Sequence, residues 1–140
     1  MICDDPAFVC ARNKKHTLDE LVCFIKNKTL DYLVGNLIES INKSMLIELN
    51  LHPKFGLVTK YSKGSHKDMD YSLMIKAKDA IIPYFVLMFK YAYNNEDLKD
   101  IRLKIKDIGI DAERKMLLET NGVNCYKGLI FDLGLIVASY

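Results

Sequence analysis

LDYLVGNLIESINKSM, residues 30–45, decides the fold class. Its apolar positions Leu30, Leu33, Val34, Leu37, Ile41 and Met45 recur every three or four residues. That spacing lays one stripe along a helix of 3.6 residues per turn and does not suit the two-residue period of a strand. The pattern returns downstream, where Leu98, Ile101, Ile105, Ile108, Ala112 and Met116 form the expected buried face of a helix over about 96–119. Strand signals are weak throughout. The sequence therefore predicts an all-α protein, a helical bundle.

Local signals divide the chain. Thr17 and Glu20 have capping-box spacing and predict a short helix to about Lys26. Thr29 is read as the cap of the next helix, which ends near Asn50, and residues 1–16 read as irregular. The chain is accordingly divided into an N-terminal extension, 1–28, and a helical domain, 29–140. Leu51 to Ser65 holds Pro53, Gly56 and Gly64 and reads as a long functional loop. Ser65, with Asp68 three residues on, is expected to cap a helix running into Ala80–Phe89, which Pro83 should kink or restart. Asn94-Asn95 marks a break, and Asn121-Gly122 ends the 96–119 helix with glycine at the left-handed position. A last helix starts after Asn124 and runs to Tyr140. From Leu129 onward its only polar groups are Asp132, Ser139 and the Tyr140 hydroxyl, so it should be buried on several sides. The chain thus reads as an incomplete portion of a larger all-helical domain. The tyrosines, with Met69, Met74 and Met88, are assigned to the core.

Bulk properties exclude several classes of function. The 140 residues make one domain or part of one, and half are apolar, enough for a real core. A net charge of +2 argues against nucleic acid as a partner, and no aromatic residues interleave with the basic ones to form a stacking platform. Ala80–Phe89, the longest apolar run, is too short to span a bilayer. Asp4 and Asp5 replace the basic start of a signal peptide, so no membrane partner and a cytoplasmic location are expected. Cys3, Cys10, Cys23 and Cys125 form no disulfide framework. Three of them with His16 could make a zinc set, but their spacings match no familiar zinc pattern, and free thiols are expected.

Three constellations could carry chemistry. Between Lys54 and Lys67 every charged side chain is basic (Lys54, Lys60, Lys63, Lys67), with His66 beside them. Gly56 and Gly64 allow backbone to approach phosphate oxygens, and Asp68 and Asp70 offer hard oxygens suited to Mg²⁺. A solvated basic loop followed by a capped helix explains the same residues equally well. Gly109, Glu113 and Thr120 fall along one line of a helix, where Gly109 costs about 1 kcal/mol relative to alanine and implies close approach by something else. Glu113 would then be a half-buried carboxylate, or a surface partner of a lysine. Asn121 and Asn124 offer amide donors and acceptors for a nucleotide, and Lys127 stands in the first turn of the last helix. A plain helix–turn–helix junction is the alternative.

These segments resemble the triphosphoribosyl-dephospho-coenzyme A synthase (CitG-type) family. The resemblance rests on HPKFGLV at 52–58, GSHKDMD at 64–70, PYF at 83–85, IGIDAERKM at 108–116 and TNGVNCYKGLIFDLGL at 120–135, in the family's order and spacing. It implies an all-helical fold and a transferase that joins ATP to 3′-dephospho-coenzyme A with release of adenine. The product is the prosthetic-group precursor of citrate lyase and malonate decarboxylase. By that resemblance Lys54, Lys63, Lys67 and Lys127 would bind phosphates, with Gly56, Gly64 and Ser65 in the binding loop. Asp68 and Asp70 would hold Mg²⁺ directly or through water, Asn121 and Asn124 would position the nucleotide, Glu113 would be the catalytic base or the stabiliser of an oxocarbenium ion, and His66 would be the acid assisting adenine departure or another ligand contact. The sequence departs from the family at Phe55 (usually proline), Thr59 (usually aspartate) and Cys125-Tyr126 (usually Thr-His). Family members run to roughly twice this length, so the chain is expected to match their N-terminal half only. A second polypeptide completing the bundle is one expectation. An inactive remnant that binds nucleotide weakly is the alternative.

Overall fold

The computed structural model describes residues 2–139. Five helices and no strand are found among them: α1 (Ala7–Arg12), α2 (Leu18–Asn50), α3 (Tyr71–Tyr93), α4 (Leu98–Glu119) and α5 (Lys127–Ser139). The all-α reading holds. α3 is the central element, packing on α2, α4 and α5, while α4 also packs on α5. α1 packs on none of the other helices.

Each boundary has a local cause. The capping box at the start of α2 is complete: Thr17 Oγ1 accepts from the Glu20 amide at 3.2 Å, and Glu20 Oε2 accepts from the Thr17 amide at 2.7 Å. α2 then continues without a break through Thr29, which corrects the expected pair of helices. No proline or glycine interrupts residues 18–34, and a threonine inside a helix need not start one. The proposed boundary at residue 28 lies within α2. Residues 7–12, expected to be irregular, form α1.

α3 begins at Tyr71, later than expected, because Asp70 rather than Ser65 is its cap. Asp70 is extended (φ −140°, ψ 176°) and its Oδ1 accepts from the Leu73 amide at 2.9 Å. Pro83 sits inside α3 and does not divide it. Asn94 ends α3, and Asp97 caps α4 through the Lys99 and Asp100 amides. Gly122 has φ +87° and Asn121 has φ +53°, so the left-handed turn takes both residues.

Ile41 and Met45 of the α2 stripe are buried with Ile81, Phe85 and Met88 of α3, Ile105, Ile108, Ala112 and Met116 of α4, and Ile130 and Val137 of α5. Leu30, Leu33, Val34 and Leu37 are half-buried against them. Leu98 is exposed and Ile101 only half-buried, because the first turn of α4 lies beyond the end of the packed stripe. Glycines set the closest approach. A Cβ on Gly134 would lie 2.9 Å from Met88 Sδ, and one on Gly109 3.6 Å from Met88 Cε and 3.9 Å from Ile130. Met88 therefore fills a notch between α4 and α5, which accounts for the glycine inside α4. Met74 and Met88 are buried as expected and Met69 is half-buried, but Tyr32, Tyr61 and Tyr93 are exposed. Each carries a polar hydroxyl that water satisfies. On α5, Phe131, Leu135 and Ile136 are exposed, so the expected burial on several sides is not met within this chain. Tyr140 lies outside the described residues.

Candidate functional site

The α2–α3 loop and the α4–α5 junction meet at one end of the bundle. Leu49, Val58 and Met74 form a second buried cluster, against which Met69, Tyr71, Ile75, Cys125 and Tyr126 pack. One apolar floor thus lies under both polar segments. Asp68 and Asp70 stand close enough to Cys125 to raise its thiol pKa, after burial, which contributes most.

Glycine geometry folds the first loop on itself. Gly56 and Gly64 have φ +74° and +60°. A Cβ on Gly64 would come within 2.5 Å of the Gly56 carbonyl carbon and oxygen. Two backbone stretches cross there, held by the Ser65 amide and hydroxyl, which donate to the Gly56 carbonyl at 3.1 and 2.9 Å. This crossing is why Ser65 is not a helix cap. Thr59 is buried and takes over a turn: its Oγ1 accepts from the Tyr61 and Ser62 amides at 3.2 and 3.1 Å. Phe55, the proline replacement, is exposed.

The basic residues of the loop separate by task. Lys54 Nζ donates to the Glu48 carbonyl at 2.8 Å and its carboxylate at 2.6 Å, closing the last turn of α2. Its ammonium is therefore engaged. Lys63 stands 3.9 Å from Asp70 Oδ2, and Lys67 is exposed. His66 is half-buried and its ring makes no hydrogen bond or ion pair among the described residues.

A groove of about 810 Å³ runs between α4 and α5. Glu113, Lys127, Lys99, Arg102 and Lys106 line it, over a floor that includes Met88, Gly109 and Ile130. Lys127 Nζ lies 2.8 Å from Glu113 Oε1, whose side chain is 29% exposed. Both readings of Glu113 thus hold together: it is half-buried and it pairs with a lysine. Asn124 Oδ1 accepts from the Lys127 amide at 3.0 Å and so caps α5, while Asn121 is exposed at the turn. Thr120 is buried, its hydroxyl donating to a backbone carbonyl at the end of α4. His66, Asp68 and Asp70 do not line the groove. Sequence reasoning missed Lys99, Arg102 and Lys106. The signal was present, since these residues recur at helical spacing on the face that carries Gly109 and Glu113.

Asp68 and Asp70 are the carboxylates that a magnesium ion would use here. Asp68 is exposed and makes no ion pair among the described residues, and Asp70 keeps Oδ2 beyond its capping oxygen. Carboxylate oxygens are the hard donors Mg²⁺ uses beside substrate phosphates.

A chain with this bundle and these motifs falls in one class. The family model for CitG, ATP:dephospho-CoA triphosphoribosyl transferase, matches residues 35–140, and the chain belongs to that family. It is 34% identical over 138 residues to the 2-(5''-triphosphoribosyl)-3'-dephosphocoenzyme-A synthase of Haemophilus ducreyi, covering 96% of this chain and 43% of that protein. To the protein CitXG of Haemophilus influenzae it is 32% identical over 143 residues, 97% of this chain and 30% of that one. A probable synthase of Vibrio cholerae is 38% identical over 113 residues, 79% and 35% of the two chains. The chain therefore spans less than half the length of these curated relatives. No solved structure matches it. Among the described residues no helix is long and apolar enough to cross a membrane.

Proposed function

We propose that this chain supplies the nucleotide-binding part of a triphosphoribosyl transferase that joins ATP to 3′-dephospho-coenzyme A and releases adenine. The observation that carries the reading is the α4–α5 groove, where the half-buried carboxylate of Glu113 pairs with Lys127 and where Lys99, Arg102 and Lys106 line the rest of its length beside apolar Leu103, Ile110, Phe131 and Leu135. Such a groove neutralises a triphosphate while keeping a base within reach.

In this reaction a ribose 2′-hydroxyl attacks the anomeric carbon of the ATP ribose as the bond to adenine breaks. Lys127 turns from Glu113 to a phosphate oxygen, which frees the carboxylate to take the hydroxyl proton. Lys99, Arg102 and Lys106 hold the remaining phosphate charge, and Lys63 and Lys67 extend the cationic surface from the neighbouring loop. Asn121 positions the nucleotide, as does the amide nitrogen of Asn124. His66, whose ring makes no hydrogen bond or ion pair among the described residues, protonates the departing adenine from the neighbouring loop. Asp68 and Asp70 would hold Mg²⁺, which when bound supplies further charge neutralisation at the phosphates. A cytoplasmic setting suits these substrates.

A second reading has its own support. The exposed Phe131, Leu135 and Ile136 of α5, with coverage of under half of each relative, favour a chain that needs a second polypeptide for turnover and alone binds nucleotide weakly. Incubation with ATP, Mg²⁺ and dephospho-coenzyme A, with chromatographic detection of adenine, tests both. Adenine release that requires both substrates supports the first reading. Release only after addition of the part of a longer relative that this chain does not match supports the second. No release in either case, with no ATP binding, overturns both.

A further inference from the structure

Three side chains far from the groove converge without a task in the chemistry above. Cys3 Sγ lies 3.1 Å from Cys10 Sγ and 3.2 Å from His16 Nε2. All three donor atoms fall within 4.8 Å of one another, and each residue is half-buried. The sequence separates them as Cys-x6-Cys-x5-His. α1 closes that distance, carrying Cys10 on its one and a half turns, and the turn after it brings His16 to the start of α2.

We propose that Cys3, Cys10 and His16 form a zinc site that fastens residues 2–16 to the first turn of α2. Two thiolates and an imidazole are a donor set that a borderline-soft d¹⁰ cation prefers. Ligand atoms around a tetrahedral zinc lie about 3.5–3.8 Å apart, so the two contacts of Cys3 need open by only about half an ångström. The environment of His16 supports the assignment. Its Nε2 faces the sulfur, and its Nδ1 faces the Glu20 carboxylate at 3.9 Å. A metal-binding histidine characteristically turns its other ring nitrogen to a carboxylate. Glu20 is itself fixed by the capping box with Thr17. Asp5 Oδ2 is held by Lys15 at 2.6 Å, so the three residues are the chain's own ligands at this site. α2 has 33 residues, about 50 Å, between this cluster and the polar end of the bundle. The site is therefore separate from the groove.

The test is zinc titration of the full chain, stripped of metal and kept reduced by a phosphine, against a chromogenic competitor. One zinc per chain is expected. Cys3→Ser, Cys10→Ser and His16→Ala should each weaken binding by more than about a hundredfold, and Glu20→Gln by about tenfold. Cys23→Ser and Cys125→Ser should leave it unchanged. Cobalt should give the visible absorption of a tetrahedral thiolate site, lost in Cys10→Ser. Because α1 packs on no other helix, these variants should keep the helical content of the bundle. Zinc affinity unchanged in Cys3→Ser and His16→Ala overturns the proposal, as does a reduced wild-type chain that takes up no zinc.

Discussion

Lys127 Nζ stands 2.8 Å from Glu113 Oε1, so the first turn of α5 is tied by charge to the last two turns of α4. The pair also bridges two of the family motifs, IGIDAERKM and TNGVNCYKG. In the proposed reaction it is a resting arrangement, since the lysine is needed at a phosphate and the carboxylate at a hydroxyl.

That gives opposite expectations for binding and turnover. Glu113→Gln removes an anion from the groove, so ATP should bind at least as tightly as to the parent chain. Adenine release, in whichever assembly supports it, should fall about a hundredfold, roughly 3 kcal/mol of transition-state stabilisation. Lys127→Ala should weaken ATP binding itself. Calorimetric titration beside the adenine assay separates the two, and equal loss of binding in both variants would remove Glu113 from the chemistry.

The crossing of Gly56 and Gly64 makes a sharper demand on stability. Gly64→Ala places a methyl 2.5 Å from the Gly56 backbone at φ +60°, which should cost about 2–4 kcal/mol or open the loop to protease between residues 51 and 70. Gly122→Ala has a similar φ, +87°, but meets nothing within 4 Å, so about 1–2 kcal/mol is expected. Urea unfolding of both variants should rank them in that order.

The phenol oxygen of Tyr126 is buried with no hydrogen-bond partner among the described residues, while its ring packs against both core clusters. Burial, followed by the nearby Glu48 charge, raises its pKa far above the ordinary 10.0, so it stays neutral. Tyr126→Phe keeps the ring and removes the orphaned group. It should raise stability by about 1 kcal/mol in urea unfolding, and a loss of that size would reveal a hidden partner.

How far the sequence carried depended on the range of the interactions. Period and caps are local, so the stripes at 30–45 and 105–116, the Thr17 capping box and the Asn94 break were all legible. The start of α3 was not, because Ser65 and Asp70 are equally good caps in isolation. Only the chain crossing at Gly56 commits the Ser65 hydroxyl elsewhere. Within the site, the half-burial of Glu113 followed from its line with Gly109. The engagement of Lys54 with Glu48, and the meeting of Cys3 with His16, depend on how loops fold back and leave no periodic trace. Lys99, Arg102 and Lys106 did leave one, but a charged helical face ordinarily means only solvent.

Cys125 reports whether the two polar segments truly adjoin. Its thiol pKa is raised above 9.0, first by burial and then by Asp68 and Asp70. The sign follows directly: a raised pKa means less thiolate than a free cysteine has at every pH below it, and negative neighbours disfavour the anion further. In a chain carrying Cys3→Ser, Cys10→Ser and Cys23→Ser, alkylation by iodoacetamide at pH 8 should therefore be slower than for a small-molecule thiol of ordinary pKa. The rate should keep rising with pH beyond 9. Neutralising the carboxylates with Asp68→Asn and Asp70→Asn should lower the pKa and speed alkylation at pH 8, with little change well above the pKa, where the thiolate is already formed. Burial sets a floor that neither substitution removes, so the double variant should remain slower than a free thiol. Rates identical in the parent and the double variant across that pH range would separate the aspartate segment from the Cys125 junction, and with it the single polar end on which the nucleotide site is built.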